Sequence, residues 1–306
     1  MGKIAFVFAG QGAQYPGMGK EIYESSEAGK RVFDVVQNIR PGLKELCFSG
    51  SAEELSVTVN TQPALFAVDL ACAAVMEELG VVPDGAAGFS LGEIPALAFA
   101  GAFSYEAGAE LVMKRAVLMQ ESSEKNPGAM AAVLKLDDEA VEGLCREIGD
   151  IYPVNYNSPG QLVCAGKKEK IDILVNEAAA AGGRALPLAV SGAFHCPFMD
   201  AAADGMKKYL EDKELDAFRF PVYSNAAAKP YGGKELISKQ INSPVRWKEI
   251  VSEMISGGFD TFVEVGAGKT LSGLIKKIDR SVRVMNVQTY DDALQAADLI
   301  KENANV

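Results

Sequence analysis

Gly88-Phe89-Ser90-Leu91-Gly92 is the stretch of this sequence best suited to covalent chemistry. Small and apolar residues run into a serine flanked two positions away on each side by glycine, and a segment rich in alanine and leucine follows. The pattern predicts a strand, a sharp turn and a helix start, with Ser90 at the apex. Such an elbow pushes the serine Oγ out of the sheet, while N–H groups at the helix start face developing negative charge. A serine nucleophile needs a base that can carry a proton near neutral pH, and histidine is the side chain suited to that. The 306-residue chain has one histidine, His195. Either His195 is hydrogen-bonded in a core, or it is the base for Ser90.

Arg115 is the third group. It falls in a helix predicted over residues 104–122, and at about 100° per residue it lies about 40° from Leu111, on the apolar face. A buried guanidinium does not deprotonate, so it must meet an anion or reach out to water. Its planar fork fits a carboxylate. Two readings follow: a structural ion pair, or a substrate acyl group that ends in a carboxylate. Gln11 lies in Gly10-Gln-Gly-Ala-Gln14, a turn that either only joins strand to helix or lends an N–H to a neighbouring site. No lysine-Ser/Thr pair follows at phosphate-binding spacing, so a nucleotide site is not expected. Gln62 precedes Pro63 and either faces the site or caps a helix beginning at Thr61.

These groups need a scaffold, and composition bounds it. A net charge of −11 argues against a general nucleic-acid or anionic-membrane surface. Five scattered cysteines without CxxC spacing suit a reduced, cytoplasmic protein with no disulfide framework or thiolate zinc site. Cys196, beside the histidine, is read as structural. The amino terminus lacks the length and cleavage site of a signal peptide, and no charge-free apolar span of 18 residues qualifies as transmembrane.

Apolar patterning predicts a strand over 3–9, helices over 22–36, 43–55 and 61–79, then the elbow and the Arg115 helix. From about residue 126 the texture changes. Strand 129–134, helix 138–148, strands 153–158 and 161–165, helix 168–181 and strand 184–188 give the β-α-β-β-α-β order of a ferredoxin-like unit. His195 lies just past its end. A helix to 210, strand 220–224, helix 248–256, strand 259–265, strand 282–286 and a short helix from Asp291 complete the chain. The expected fold is therefore α/β: a large α/β-hydrolase-like core with a parallel sheet, formed by 1–125 and 197–306, and a small ferredoxin-like subdomain, 126–196, inserted in it.

With these residues in hand, the chain resembles the bacterial malonyl-CoA:acyl-carrier-protein transacylases of fatty acid synthesis and the related acyltransferase domains of polyketide synthases. The resemblance covers essentially the full length. It rests on Phe8-Ala-Gly-Gln-Gly-Ala-Gln14, Thr61-Gln-Pro63, Gly88-Phe-Ser-Leu-Gly92, Arg115, Asn157-Ser-Pro-Gly-Gln161, Gly192-Ala-Phe-His195 and Gln240-Ile-Asn-Ser-Pro-Val-Arg-Trp247. It implies that Ser90 is acylated, His195 is the base, Arg115 clamps a malonyl carboxylate, and the N–H groups of Gln11 and Leu91 form the oxyanion hole. It further implies that an oxygen of Gln240 steadies His195 and that Asn157 lies near the site. Phe89 departs from the pattern, because the family has histidine there, and the change bears on rate or acyl preference. Phe194 would crowd an α-methyl branch, which favours malonyl over methylmalonyl. The implied substrates are malonyl-CoA and phosphopantetheinylated acyl carrier protein, handled by a monomer that needs no cofactor, metal, nucleic acid or membrane. Lys167, Lys168, Lys170, Arg184, Lys207, Lys208, Lys276 and Lys277 are the basic residues that could meet an acidic carrier protein. The rival readings are a stand-alone polyketide acyltransferase, a serine thioesterase or hydrolase, and a noncatalytic carrier-protein docking module.

Overall fold

A computed structural model describes residues 2–190 and 192–304. Among the described residues, nine strands divide between two sheets: β1 (Lys3–Phe8), β2 (Gly85–Gly88), β3 (Ala129–Leu134), β4 (Ile151–Ser158), β5 (Gln161–Gly166), β6 (Arg184–Pro187), β7 (Val222–Tyr223), β8 (Phe259–Val265) and β9 (Arg283–Val287). The first sheet is five-stranded and parallel in the order β7-β2-β1-β8-β9. Its inner strands read as nearly continuous apolar runs because helices cover both faces. The second sheet is antiparallel, in the order β4-β5-β3-β6.

Alternation along β3 explains how the two sheets join. Ala131 and Val133 pack under helices Asp138–Ile148 and Lys168–Ala180, together with Val141, Cys145, Ile171 and Leu174. Met130 and Ala132 point the other way, into the main core. Period-two side-chain direction thus lets one strand serve two cores. Backbone also ties β4 to the segment that precedes helix Trp247–Ser256. Tyr156 N–H donates to the Val245 carbonyl at 2.9 Å, and Val245 N–H donates to the Val154 carbonyl at 2.8 Å. That stitch carries the middle of β4 to the mouth of the parallel sheet.

Several elements depart from the sequence expectations. The helix expected over 22–36 is two helices, Lys20–Ser25 and Glu27–Ile39, because the Ser26 hydroxyl caps the second by accepting from Gly29 N–H. The helix expected over 43–55 is also two, Leu43–Ser49 and Ala52–Ser56, and a reciprocal Ser51–Glu54 capping box starts the second. Pro63 was expected in a first turn. The helix instead begins at Thr58, so Pro63 lies inside it. The last helix is not short and spans Tyr290–Ala304. One more correction concerns apolar length: Thr58–Glu78 is long and apolar enough to cross a membrane even with Asp69 inside it. Here it is a core helix, with 83% of its apolar window buried.

What matters for chemistry is where the parallel strands end. β1 runs into Ala9–Gln11, β2 into Ser90, β7 into Asn225 and β8 into Glu264–Gly266, all at one edge of the sheet. The register Phe8↔Gly88 sets the Gln11 turn beside the elbow. That approach is close. A Cβ added at Gly10 would lie 2.6 Å from the Phe89 carbonyl oxygen, and one at Gly92 would lie 2.2 Å from that of Phe8. Glycine is required at both points because backbone occupies the space a side chain would need.

Candidate active site

Ser90 sits at the tip of β2 with φ 53°, followed by a single 3-10 turn, Ser90–Gly92, and helix Glu93–Phe99. Left-handed backbone at a serine is strained. The elbow tolerates it because its two glycines let the chain fold back on itself: a Cβ at Gly88 would fall 1.9 Å from the Gly92 carbonyl carbon. His195 also has positive φ, 61°, in the irregular segment after β6. Both residues hold these conformations inside a packed framework, which turns the two side chains toward each other. Ser90 Oγ and His195 Nε2 are 2.7 Å apart.

The rest of the imidazole's geometry fixes its tautomer. His195 Nδ1 is 2.9 Å from the backbone carbonyl oxygen of Gln240. A carbonyl can only accept, so Nδ1 carries the proton and Nε2 accepts the Ser90 hydroxyl proton. Burial, reinforced by the nearby Arg115 charge, lowers the His195 pKa to about 4, against the opposing pull of the Gln240 carbonyl. The imidazole is therefore neutral at neutral pH and free to accept.

This shift gives a pH prediction of definite sign. Lowered in the folded state, the pKa leaves His195 neutral until about pH 4, whereas in the unfolded chain it protonates near 6.5. Activity that depends on neutral His195 is expected to persist below pH 6 and to fall through an acid limb near pH 4 in kcat/KM. The unfolded state binds the extra proton first, so stability attributable to this group is lost as pH falls from about 6.5 toward 4, by about 3 kcal/mol in all. An acid limb at the ordinary histidine pKa, read from kcat/KM against pH, would contradict the burial argument.

Arg115 comes from the middle of helix Tyr105–Lys125 and is 1% exposed. Nη1 donates to Gln62 Oε1 at 2.8 Å, and Nη2 donates to Gln240 Oε1 at 2.9 Å and to Ser90 Oγ at 3.3 Å. Nε has no partner. Among the described residues, every group that bonds to this guanidinium is uncharged, so the structural ion pair allowed by the sequence is not what holds it. Burial lowers its pKa to about 10, with Glu93 and Tyr231 opposing, and it remains a cation at neutral pH. Gln62, buried in helix Thr58–Glu78, orients the guanidinium rather than capping that helix.

The surroundings form two connected spaces. An inner chamber of about 90 Å³ is lined by Ser90, His195, Arg115, Gln11, Phe89 and Phe194, with Met119, Asn155 and Leu188 among its other walls. It opens onto a wider cleft of about 210 Å³ between the Gln11 turn, β4 and helix Thr270–Ile278, which contains Asn157 and Gln161. The two spaces share Gln11, Phe89, Asn155 and Leu188. Asn157 thus lies in the outer cleft, and Asn155, two residues earlier on the same face of β4, reaches both spaces. Each has a buried Oδ1 without a partner. Leu91 is fully buried, so only its main chain can serve the site. Phe89 turns its ring toward Trp247, 5.7 Å between centroids, on the wall common to the two spaces.

The residues that sequence reasoning missed lie behind the elbow. Asn225 Oδ1 accepts from Ser90 N–H at 2.7 Å, and Asn225 Nδ2 donates to the Gly88 carbonyl at 2.6 Å. Glu93, in the first turn after the nucleophile, is fully buried; it accepts from Asn225 N–H at 2.5 Å and from the Tyr231 hydroxyl. Burial raises the Glu93 pKa to about 7, opposed by those two hydrogen bonds and by Arg115. Asn155 stands two residues before Asn157 on β4 and lines both spaces, and that period-two spacing is the signal by which the sequence could have shown it.

A serine activated by a neutral histidine, beside a buried cation and below a cleft, is equipped for acyl transfer. Comparison with known proteins agrees: residues 5–303 match the family model described as an acyl transferase domain. The chain belongs to that acyl transferase family. Among relatives of this acyltransferase, a malonyl CoA-acyl carrier protein transacylase of Bacillus subtilis is 40% identical over 99% of this chain and 98% of its own length. A protein of the same name from Staphylococcus aureus is 37% identical over 95% of this chain and 97% of its own. Among solved structures, the malonyl CoA-acyl carrier protein transacylase of Clostridium perfringens superimposes with a TM-score of 0.94 at 35% identity, covering 99% of this chain and 98% of that one. A malonyl-transacylase in complex with its type II PKS acyl-carrier protein gives 0.93 at 36% identity, covering 97% of this chain and 99% of that one.

Proposed function

We propose that this protein is a malonyl-CoA:acyl-carrier-protein S-malonyltransferase of fatty acid biosynthesis. The observation that carries the reading is Arg115: a buried guanidinium with only uncharged partners, 3.3 Å from the nucleophilic oxygen, in a chamber able to hold a short acyl group. An acyl chain that brings its own carboxylate completes that site. An acetyl group leaves the cation unpaired, which is the asymmetry that gives selectivity.

The chemistry is ping-pong. His195 Nε2 takes the Ser90 hydroxyl proton as Oγ attacks the thioester carbonyl, and the N–H groups of Gln11 and Leu91 stabilise the tetrahedral oxyanion. Collapse breaks the C–S bond, and the departing coenzyme A thiolate takes the proton from His195. The carrier-protein pantetheine thiol then enters by the outer cleft and gives its proton to Nε2 as its sulfur attacks the Ser90 ester. Malonyl-carrier protein leaves, and the proton returns to Ser90. The Gln240 carbonyl holds the imidazole tautomer, while the side-chain oxygens of Gln62 and Gln240 hold Arg115. Phe194 limits branching at the α carbon, Asn157 meets the pantetheine arm, and Phe89 shapes the passage between cleft and chamber. No step calls on a metal or cofactor.

The fold reading that goes with this function is an α/β-hydrolase-like core, 1–125 and 197–306, with an inserted ferredoxin-like subdomain, 126–196. It is supported by the β-α-β-β-α-β element order and the β4-β5-β3-β6 strand order. We take the protein to be a cytoplasmic monomer. Of the basic candidates for docking the carrier protein, Lys277 is favoured: its Nζ lies 3.0 Å from Gln161 Oε1 at the rim of the outer cleft.

Intact-protein mass after brief exposure to malonyl-CoA tests the reading. Wild type is expected to gain one malonyl group, Ser90→Ala none, and holo carrier protein is expected to discharge the adduct. Rapid discharge to water in the absence of carrier protein would favour a thioesterase. Failure of any donor to acylate wild type would leave the docking module.

A further inference from the structure

Asn225 follows the two-residue strand β7, which pairs with β2 only through Ala86↔Val222 and Ala87↔Tyr223. Beyond those pairs the backbone ladder stops, just where β2 turns into the elbow. The Asn225 carboxamide continues it. Its Nδ2 donates to the Gly88 carbonyl at 2.6 Å, and its Oδ1 accepts from Ser90 N–H at 2.7 Å. In a parallel ladder one peptide-bearing residue bonds in this way to the carbonyl of residue i and the N–H of residue i+2 on its neighbour. Gly88 and Ser90 stand in that relation, so a side-chain amide takes the place of a third strand residue. It grips both sides of Phe89 and leaves Ser90 to adopt φ 53°.

The grip is itself held. The Glu93 carboxyl accepts from the Asn225 backbone N–H and from the Tyr231 hydroxyl, and Asn225 C=O accepts from Arg246 N–H at 3.1 Å. Gln240 Nε2 donates to the Ser90 carbonyl at 2.5 Å and approaches Asn225 Oδ1 at 3.4 Å. The Ser90 backbone is therefore bonded at both its N–H and its C=O by carboxamides more than a hundred residues away in sequence. Strained backbone persists only where its surroundings over-determine it.

We infer that Asn225, locked by Glu93 and Tyr231, is a positioning residue that holds Ser90 Oγ in line with His195 and the incoming thioester. The inference rests on the reading of Ser90 as the acylated nucleophile. It makes Asn225 indifferent to the acyl group, unlike Arg115. Asparagine is needed because it offers a donor and an acceptor in one plane; aspartate keeps the shape but sets an acceptor against the Gly88 carbonyl.

Single-turnover acylation, followed by intact mass with malonyl-CoA and acetyl-CoA, tests this on wild type, Asn225→Ala and Asn225→Asp. Both variants are expected to acylate about 100-fold more slowly, the loss typical of a misplaced reacting atom. The loss should be equal for the two donors, with the half-saturating concentration unchanged and full acylation reached at long times. The final amplitude counts folded protein separately from the rate. Wild-type rates, a raised half-saturating concentration, or lost amplitude at an unchanged rate would each overturn the inference. Wild type that takes no acyl group would overturn the functional reading and this one with it.

Discussion

Replacing His195 with alanine is expected to slow acylation of Ser90 by about 10,000-fold, the upper end of what a positioned general base contributes. The geometry leaves no substitute. Two side chains reach Ser90 Oγ among the described residues, His195 Nε2 and Arg115 Nη2, and the second can only donate. The arginine pKa of about 10 keeps it protonated throughout the working range. Nor can the nearest carboxyl act: Glu93 is turned away behind the elbow, where its oxygens accept from Asn225 and Tyr231. The variant should keep its half-saturating malonyl-CoA concentration, because His195 is not asked to bind the acyl group. Measured by single-turnover mass, a residual rate within about 10-fold of wild type would remove His195 from the proton path.

The pairing of Ser90 with His195 was legible in the sequence for a physical reason. An elbow demands glycines at fixed offsets, and a lone histidine has no competitor. Arg115 was legible because helical period placed a cation among apolar side chains, but periodicity could not say what it meets. The structure supplies Gln62 and Gln240, which lie on other elements. Asn225 and Glu93 left no mark at all. Asn225 lies 135 positions from Ser90 and is brought there by a strand of two residues, too short to show a pattern. Glu93 reads as an ordinary acidic residue in a first turn, where the helix dipole favours it. Only the fold shows that it is buried. The helix breaks at Ser26 and Ser51 were written in the sequence as capping residues, Ser51 with Gly50 before it and Glu54 three positions after.

The second large effect is on selectivity. Arg115→Ala is expected to lower kcat/KM for malonyl-CoA by about 1,000-fold, roughly 4 kcal/mol, the range for losing one partner of a buried charge pair. Acetyl-CoA should change by less than about 10-fold, and two opposing terms explain why. Truncation leaves Gln62 Oε1 and Gln240 Oε1 without their donor, which loosens the Gln240 side chain that bonds the Ser90 carbonyl and lowers the rate. The same truncation removes the charge that, after burial, most depresses His195, so the base grows stronger in the variant. A bound malonyl carboxylate does the same to the wild type by neutralising the guanidinium. Under the proposed function, malonyl therefore strengthens the base that activates Ser90, whereas acetyl meets a weakened one. This coupling predicts that the acid limb of acylation by acetyl-CoA shifts upward in Arg115→Ala toward the ordinary histidine value. Equal losses for malonyl and acetyl would separate Arg115 from selectivity, and an acid limb that does not move would separate it from the tuning of His195.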